Sequence, residues 1–182
     1  MDIVSETKGY FLEMAKQKFN VDNYYLERHV NEVDRWAKKI LEIKKEADRE
    51  VVLLGVWLHD IGQLIGYKDI DHAINSEIEV RRFLGEKGID KSKIEKVAHC
   101  VRAHRCKDIQ PNTLEAKIVA TSDSASHMTD IVYADMASRG DVLGAKDKLE
   151  RDYRDKGLIP EISKELDELY IAWKNLLEVF PR

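Results

Sequence analysis

The chain has 182 residues, of which 43% are apolar and 35% are charged, with only three prolines and nine glycines. Enough apolar side chains are present to form a core, which excludes wholesale disorder. The net charge of −4 without a strongly basic block makes duplex nucleic acid an unexpected partner. Two cysteines cannot form a disulfide framework, which fits a reducing compartment.

The N-terminal segment lacks the apolar stretch of a signal peptide. The longest apolar run, Val51 to Leu58, is too short to cross a bilayer. We therefore expect a cytoplasmic protein with no membrane contact. No repeat, low-complexity tract or Gly/Ser-rich or Pro-rich linker divides the chain, which predicts a single domain over residues 1–182.

Apolar residues recur with helical periodicity almost throughout, and no segment alternates as a strand does, which predicts an all-α fold. The first three predicted helices span Ser5 to about Phe19, Tyr24 to about Ala47, and Glu50 to Ile61. Gly62 stands where a C-cap glycine would end the third helix.

The later helices are predicted from their start and stop signals. The fourth is capped by Asp71, runs to Leu84 and stops at Gly85. The fifth starts at a capping box of Ser92 and Glu95 and runs to about His104. The sixth starts near Asn112 and runs to about Ala137. The segment from Asp141 to Lys156 alternates basic and acidic residues and ends before Gly157, which predicts a solvated ion-pair face over Lys146 to Arg154.

The last predicted helix begins at Pro160 and carries an apolar stripe with spacings of three and four. Its members are Ile162, Leu166, Leu169, Trp173, Leu176 and Phe180. Because the stripe is nearly as regular as a coiled-coil seam, it predicts packing on its own domain, with a homodimer contact as the alternative.

His59 and Asp60 end the otherwise apolar segment from Gly55 to Gly62. Burying an imidazole beside a carboxylate costs free energy unless something compensates, and a divalent ion compensates both. Taken alone, the pair would more often be a helix-end cap or a simple hydrogen bond.

Two further ionisable residues lie on core-facing stripes. His29 is in line with Val33 and Trp36, and Asp123 follows Val119 and Ala120 on a later helix. Four such residues on inward faces of three helices are better explained by one shared metal ion than by separate buried polar groups.

His29, then His59 and Asp60 in the sequence HDIG, then Asp123 resemble the HD superfamily of metal-dependent phosphohydrolases. The resemblance covers about residues 24–137. It implies an HD-domain helical bundle, with residues 138–182 as C-terminal helices packed on it. By this resemblance, the four residues are the ligands of a first metal ion.

His72 opens the segment HAINSEIEVRRFL, and His104 ends IEKVAHCVRAH; both segments resemble parts of dinuclear family members. By the same resemblance, His72 and His104 hold a second ion with Asp60 as the bridge, and these three residues are the candidate catalytic groups. Alternatively, one ion is bound and the two histidines contact substrate phosphate. Mixed imidazole and carboxylate ligands suit Mn, Fe, Co, Ni, Zn or Mg.

The sequence departs from some family members. It lacks the GYP motif and the paired histidines of cyclic-di-GMP phosphodiesterases, and it has Gln63 where many members have lysine. Lys68, Arg105 and Lys107 are candidate replacements for a lysine contact to substrate, although surface positions are the commoner interpretation. His127, one turn after Asp123, is a weaker candidate for the substrate pocket, and His99 is expected at the surface.

The sequence thus predicts hydrolysis of a phosphoester of a nucleotide or another small phosphorylated metabolite by metal-activated water. Two alternatives stay open. The same six ligands resemble those of HD-fold di-iron oxygenases, and the domain could also be a non-catalytic module that binds a nucleotide or a partner.

Overall fold

The computed structural model describes residues 2–18, 21–66 and 69–180, with only the backbone for residues 21–24. These residues form helices and connecting turns without a strand, so the predicted all-α fold is confirmed. The helices are α1 (Ile3–Gln17), α2 (Val21–Ile43), α3 (Arg49–Leu58), α4 (Gly62–Ile65), α5 (His72–Glu86), α6 (Lys91–Ala103), α7 (Leu114–Thr129), α8 (Val132–Ser138), α9 (Val142–Arg154) and α10 (Ser163–Glu178). Phe19, the predicted end of the first helix, lies outside the described residues.

Side-chain caps start six of these helices. A carboxylate or hydroxyl oxygen accepts a hydrogen bond from a first-turn backbone N–H at Asp2, Asp48, Asp71, Asp90, Thr113 and Asp141. Asp71 is the predicted cap, but the predicted capping box at Ser92 is wrong. Asp90 caps α6 instead, since its carboxylate reaches the N–H groups of Ser92 and Lys93.

Two predicted helix ends are also wrong. α3 ends at Leu58, and Gly62 begins the short helix α4 instead of ending its predecessor. α5 continues through Gly85 to Glu86, and the left-handed φ of 71° falls at Gly88, two residues beyond the end of α5.

The predicted helix up to Ala137 is divided into α7 and α8. Asp130 takes an extended backbone conformation between them. Its carboxylate accepts a hydrogen bond from the N–H of Ile131 and pairs with Arg28 of α2, so a local side-chain interaction replaces continuation of the helix.

α3 lies at the centre of the core. All eight residues from Val51 to Leu58 are buried, and α1, α2, α6 and α7 pack around them. Because every face of α3 is apolar, the helix has no solvent side, and the polar residues that follow Leu58 are carried into the interior with it.

The C-terminal helices pack on this core through α7, α8 and α9. Ile162 and Leu166 are buried, and Trp173 donates a 2.8 Å hydrogen bond from Nε1 to the carbonyl of Met128. Leu176 is 44% exposed and the next residue, Leu177, is buried in its place. Most of the predicted stripe thus packs within the chain, and a homodimer through α10 stays a prediction.

Pro160 begins a 3-10 turn, Pro160–Ile162, and α10 itself starts at Ser163. A second 3-10 turn, Asp155–Leu158, follows α9. Among the described helices, none combines the length and the apolar character needed to cross a bilayer.

Candidate metal centre

All six residues predicted as metal ligands lie together at one end of α3. They form two sets, within each of which the ligand atoms lie within 4.8 Å of one another: His29, His59 and Asp123, and Asp60, His72 and His104. His29 is on α2 and Asp123 on α7, while His59 and Asp60 follow the last residue of α3. His72 begins α5, and His104 follows α6.

Asp60 joins the two sets because its two carboxylate oxygens face different histidines. Oδ2 lies 3.6 Å from Nε2 of both His29 and His59. Oδ1 lies 3.2 Å from Nε2 of His72 and 3.8 Å from Nε2 of His104. This is the arrangement in which a carboxylate can bridge two cations.

Asp123 completes the first set. Its Oδ1 lies 3.1 Å from His29 Nε2 and 3.7 Å from His59 Nε2, and these two ring nitrogens are themselves 3.3 Å apart. Three potential ligand atoms, from α2, from the end of α3 and from α7, therefore converge on one small volume.

Backbone carbonyls fix the tautomers of two histidines. Nδ1 of His59 lies 2.7 Å from the carbonyl of Val56, and Nδ1 of His104 lies 2.6 Å from the carbonyl of Val101. A carbonyl only accepts, so both Nδ1 atoms carry a hydrogen, and in the neutral ring Nε2 is left with its lone pair.

A serine orients His29 in the same way. Oγ of Ser126 donates its single hydrogen to the carbonyl of Asp123 at 2.7 Å and lies 3.1 Å from His29 Nδ1. With that hydrogen on the carbonyl, Nδ1 donates to Oγ, which leaves the lone pair on Nε2. Such an outer hydrogen bond is the usual support of a metal-binding imidazole.

These lone pairs point toward two buried carboxylates, an arrangement that is repulsive unless a cation lies between them. Oδ1 of Asp60 is buried and, among the described residues, has no hydrogen-bond partner of acceptable geometry. Burial lowers the pKa of His104 to about 4, which keeps its ring neutral and able to bind a metal at neutral pH. The donor set therefore fits divalent ions.

The pKa values of the carboxyl groups point the same way. Burial alone raises the pKa of Asp60 and of Asp123, but the positive charge that the neighbouring histidines carry when protonated lowers both well below the ordinary value, and a bound cation would act in the same direction. The site therefore presents two carboxylates and not carboxylic acids, as ligation requires.

His127 contributes more to this region than its sequence signal indicated. Its ring stacks on His29 with centroids 4.9 Å apart, and its Nε2 lies 3.7 Å from Oδ1 of Asp123. Its Nδ1 lies 3.1 Å from Oδ2 of Asp152, which also accepts a 2.6 Å hydrogen bond from Tyr133.

Asp152 is a residue that the sequence analysis missed, since it was assigned to a solvated face. It is buried, and its stripe of Val142, Ala145, Leu149 and Asp152 is the signal that could have identified it. The predicted solvated ion-pair face is wrong at Asp152, while Asp147, Glu150, Arg151 and Arg154 are exposed. Lys148 pairs with Asp152 at the cavity, while Glu150 accepts a hydrogen bond from Tyr170 of α10.

A cavity of about 720 Å³ opens over the second set and over Asp123 of the first. It is lined by Asp60, Gln63, His72, His104, Arg105, Cys106, Lys107, Gln110, Asp123, Ser124, His127, Lys148, Arg151, Asp152, Arg154 and Asp155. Two of the three candidate lysine replacements, Arg105 and Lys107, thus line the cavity, whereas Lys68 lies outside the described residues.

A smaller cavity of about 300 Å³ adjoins the other side of His29, Asp60 and His127. Its lining includes the apolar residues Leu26, Ile131 and Val132. His99 is outside both cavities, where its Nε2 accepts a 3.3 Å hydrogen bond from the backbone of Asn112.

A protein-family model described as HD domain matches residues 26–128, more than half of the chain. The matched range contains all six candidate ligands. Neither the curated proteins nor the solved structures gave a match to the chain.

Proposed function

The chain belongs to the HD domain family, and on that premise we propose that it is a metal-dependent phosphohydrolase. Its proposed substrate is a phosphoester of a nucleotide or another small phosphorylated metabolite. The supporting observation is the position of Asp60, whose two oxygens face separate histidine-containing sets. Four imidazoles and two carboxylates suit Mn, Fe, Co, Ni or Zn, with Mg at the oxygen-rich side.

In this proposal His29, His59, Asp60 and Asp123 hold a first ion, and Asp60, His72 and His104 hold a second. Bound divalent ions supply a water of lowered pKa and relieve charge on the phosphoryl oxygens. Asp60, His72 and His104 are the proposed catalytic residues because they lie at the floor of the large cavity, where a substrate phosphate would enter. Oδ1 of Asp60, which has no hydrogen-bond partner of acceptable geometry among the described residues, would be available to the second ion.

Basic residues at the cavity wall bring an anionic substrate to these groups. Lys148 is held between His127 and Asp152, and Arg105 pairs with Asp71, the cap of α5. Side chains fixed in this way are ordered before the substrate arrives, which reduces the entropy lost when it binds.

The test begins with metal analysis of the purified protein, followed by a panel of phosphoesters with the best metal added back. We expect at least one divalent ion per chain and metal-dependent release of phosphate. Asp60→Ala is expected to lose the metal and to reduce kcat at least a thousandfold while its circular dichroism stays helical.

The matched control is Asp34→Ala, which removes another buried carboxylate, paired with Lys38 on α2 and outside both cavities. It should keep both metal and activity. An active, metal-free Asp60→Ala protein would contradict the proposal. Two irons with oxygen-dependent loss of substrate would favour the oxygenase, and failure to bind any divalent ion would favour the non-catalytic module.

A further inference from the structure

The arginines of the described residues divide into two groups. Eight form an ion pair with a carboxylate: Arg28, Arg35, Arg49, Arg81, Arg82, Arg102, Arg105 and Arg139. Arg151 and Arg154 form none within the described part of the chain, and both line the large cavity. The guanidinium groups without a carboxylate partner are thus concentrated beside the candidate metal centre.

Both arginines are presented by one face of α9. Lys148, Arg151 and Arg154 are spaced by three residues, so they follow one another along the helix surface, and all three line the cavity. Lys148 already has a counter-charge in Asp152, whereas the two arginines have none among the described residues. A planar guanidinium suits phosphate because it can donate two parallel hydrogen bonds.

The segment after α6 adds a third cation without an ion-pair partner. Lys107 lines the cavity and forms no ion pair with a described carboxylate, while its neighbour Arg105 is held by Asp71. Between them Cys106 has a φ of 49°, in the left-handed region that ordinary residues seldom adopt. A strained turn kept at a cavity wall is a common mark of a functional segment.

The charges at the metal centre can be balanced without Lys107, Arg151 and Arg154. Two divalent ions would carry four positive charges, and Asp60 and Asp123 offset two of them. The remaining two match a single dianionic phosphoryl group, so Lys107, Arg151 and Arg154 are left without a counter-charge from that group. Asp155 offsets at most one of the three.

The polar lining of the large cavity favours a charged ligand. Apart from its histidines it offers no aromatic ring, and it includes no aliphatic side chain. A second anion would find charged partners there in Lys107, Arg151 and Arg154. A volume of about 720 Å³ accommodates a ligand with two phosphoryl groups.

We propose that Arg151 and Arg154, with Lys107, form an anion subsite that binds a second phosphoryl group of the substrate. The substrate class is then a diphosphate or a bisphosphorylated small molecule. This inference rests on the proposed function for the identity of the first phosphoryl group, but binding can be measured without turnover.

The experiment measures binding to the metal-loaded full chain by isothermal titration calorimetry. The probes are inorganic phosphate, inorganic pyrophosphate and fructose 1,6-bisphosphate, at one fixed concentration of excess metal, so that chelation is the same for every protein. The test protein is Arg151→Ala/Arg154→Ala. The control is Arg49→Ala/Lys146→Ala, which removes two positive charges outside both cavities.

We expect the test variant to weaken binding of pyrophosphate, of the bisphosphate or of both at least tenfold, and that of phosphate less than twofold. The probe that is affected tells whether the two groups are directly linked or separated by carbon. The control should bind all three probes as the parent does.

Equal weakening of all three probes, or no weakening, would overturn the inference. The inference would also be overturned if a single-stranded oligonucleotide competed with pyrophosphate and lost affinity equally in the test variant. The three cations would then bind a nucleic acid and not a small substrate. If phosphoesters are hydrolysed but the variant shows no selective loss, the proposed function stands and the subsite fails. If the selective loss is seen without hydrolysis of any phosphoester, the anion subsite stands and the proposed function fails.

Discussion

The backbone N–H of Gly62 donates a 2.8 Å hydrogen bond to Oγ of Ser76. This bond joins the turn that carries His59 and Asp60 to the first turns of α5, where His72 lies. A Cβ on Gly62 would lie 2.2 Å from the carbonyl oxygen of His72, so only glycine permits this approach. The close contact sets the position of one ligand helix against the carboxylate that joins the two sets.

Gly62→Ala is therefore expected to displace α5 and to move His72 away from Asp60. We expect loss of the second ion with retention of the first, measured as a fall from two to about one ion per chain. Overpacking of this kind costs about 1–3 kcal/mol of unfolding free energy, which thermal denaturation would record.

Gly85→Ala is the matched control because Gly85 lies on α5, the helix that Gly62→Ala would displace, and its added Cβ would meet no atom within 4 Å. That variant should keep both ions and gain roughly 0.5–1 kcal/mol from the better helix former. Full occupancy of the second site in Gly62→Ala would contradict the positioning role.

Ser126→Ala removes the acceptor that holds the Nδ1 hydrogen of His29. The ring then loses its fixed tautomer, and we expect affinity for the first ion to fall about 10–100-fold, as for other outer partners of metal ligands. Titration with Mn²⁺ after removal of bound metal would measure the change.

Ser122→Ala serves as the control on the same helix. The Ser122 hydroxyl is buried and, within the described residues, makes no hydrogen bond, so its removal should leave metal affinity unchanged and leave stability equal or slightly higher. If both serine variants bound Mn²⁺ equally, Ser126 would have no orienting role.

Asp155 predicts a specific dependence of stability on pH in the metal-free protein. Burial, helped by the charges of Asp152 and Asp123, raises the pKa of Asp155 from 3.8 to about 6. The folded state then holds a proton that the unfolded state has lost, so unfolding free energy falls as pH rises through this window.

Asp155→Asn mimics the protonated form and should stabilise the metal-free protein at pH 8 but not at pH 4. The gain is at most about 3 kcal/mol and smaller in practice, because solvent screens a half-buried carboxyl. Thermal denaturation across this pH range in EDTA would measure it, with Asp147→Asn on the exposed part of α9 as the control. A gain that is the same at pH 4 and pH 8 would contradict the assignment.

Trp173 tests whether α10 is integral to the fold. Its indole donates to the carbonyl of Met128 and packs edge-to-face on buried Tyr133, with ring centroids 5.1 Å apart. Trp173→Ala is expected to cost about 2–4 kcal/mol and to lower the midpoint of a single unfolding transition.

The exposed neighbour Leu176→Ala should change unfolding free energy by less than about 0.5 kcal/mol. Separate unfolding transitions for α10 and for the core in Trp173→Ala would show that the C-terminal helices are not part of one cooperative unit, against the single domain that the sequence predicts.

Local signals in the sequence predicted the helices, apart from several of their ends, and selected the six candidate ligands that the structure brings together. The all-apolar run of α3 forces His59 and Asp60 inward, and helical periodicity places His29 and Asp123 on core-facing stripes. These are short-range properties of spacing and polarity, which can be recognised without knowledge of the fold. Gly62 shows the opposite, because its role as a close-approach position depends on a helix that begins ten residues later.

The sequence by itself determined that this is an all-α chain with histidine and aspartate residues of metal-binding type on the inward faces of its helices. Only the tertiary structure decided that Asp60 turns one oxygen to each set, that Val56, Val101 and Ser126 orient the imidazoles, and that Arg151 and Arg154 line the cavity. The reason is physical. Polarity and period specify which face of a helix is buried, whereas the packing of helices distant in sequence decides which atoms meet there.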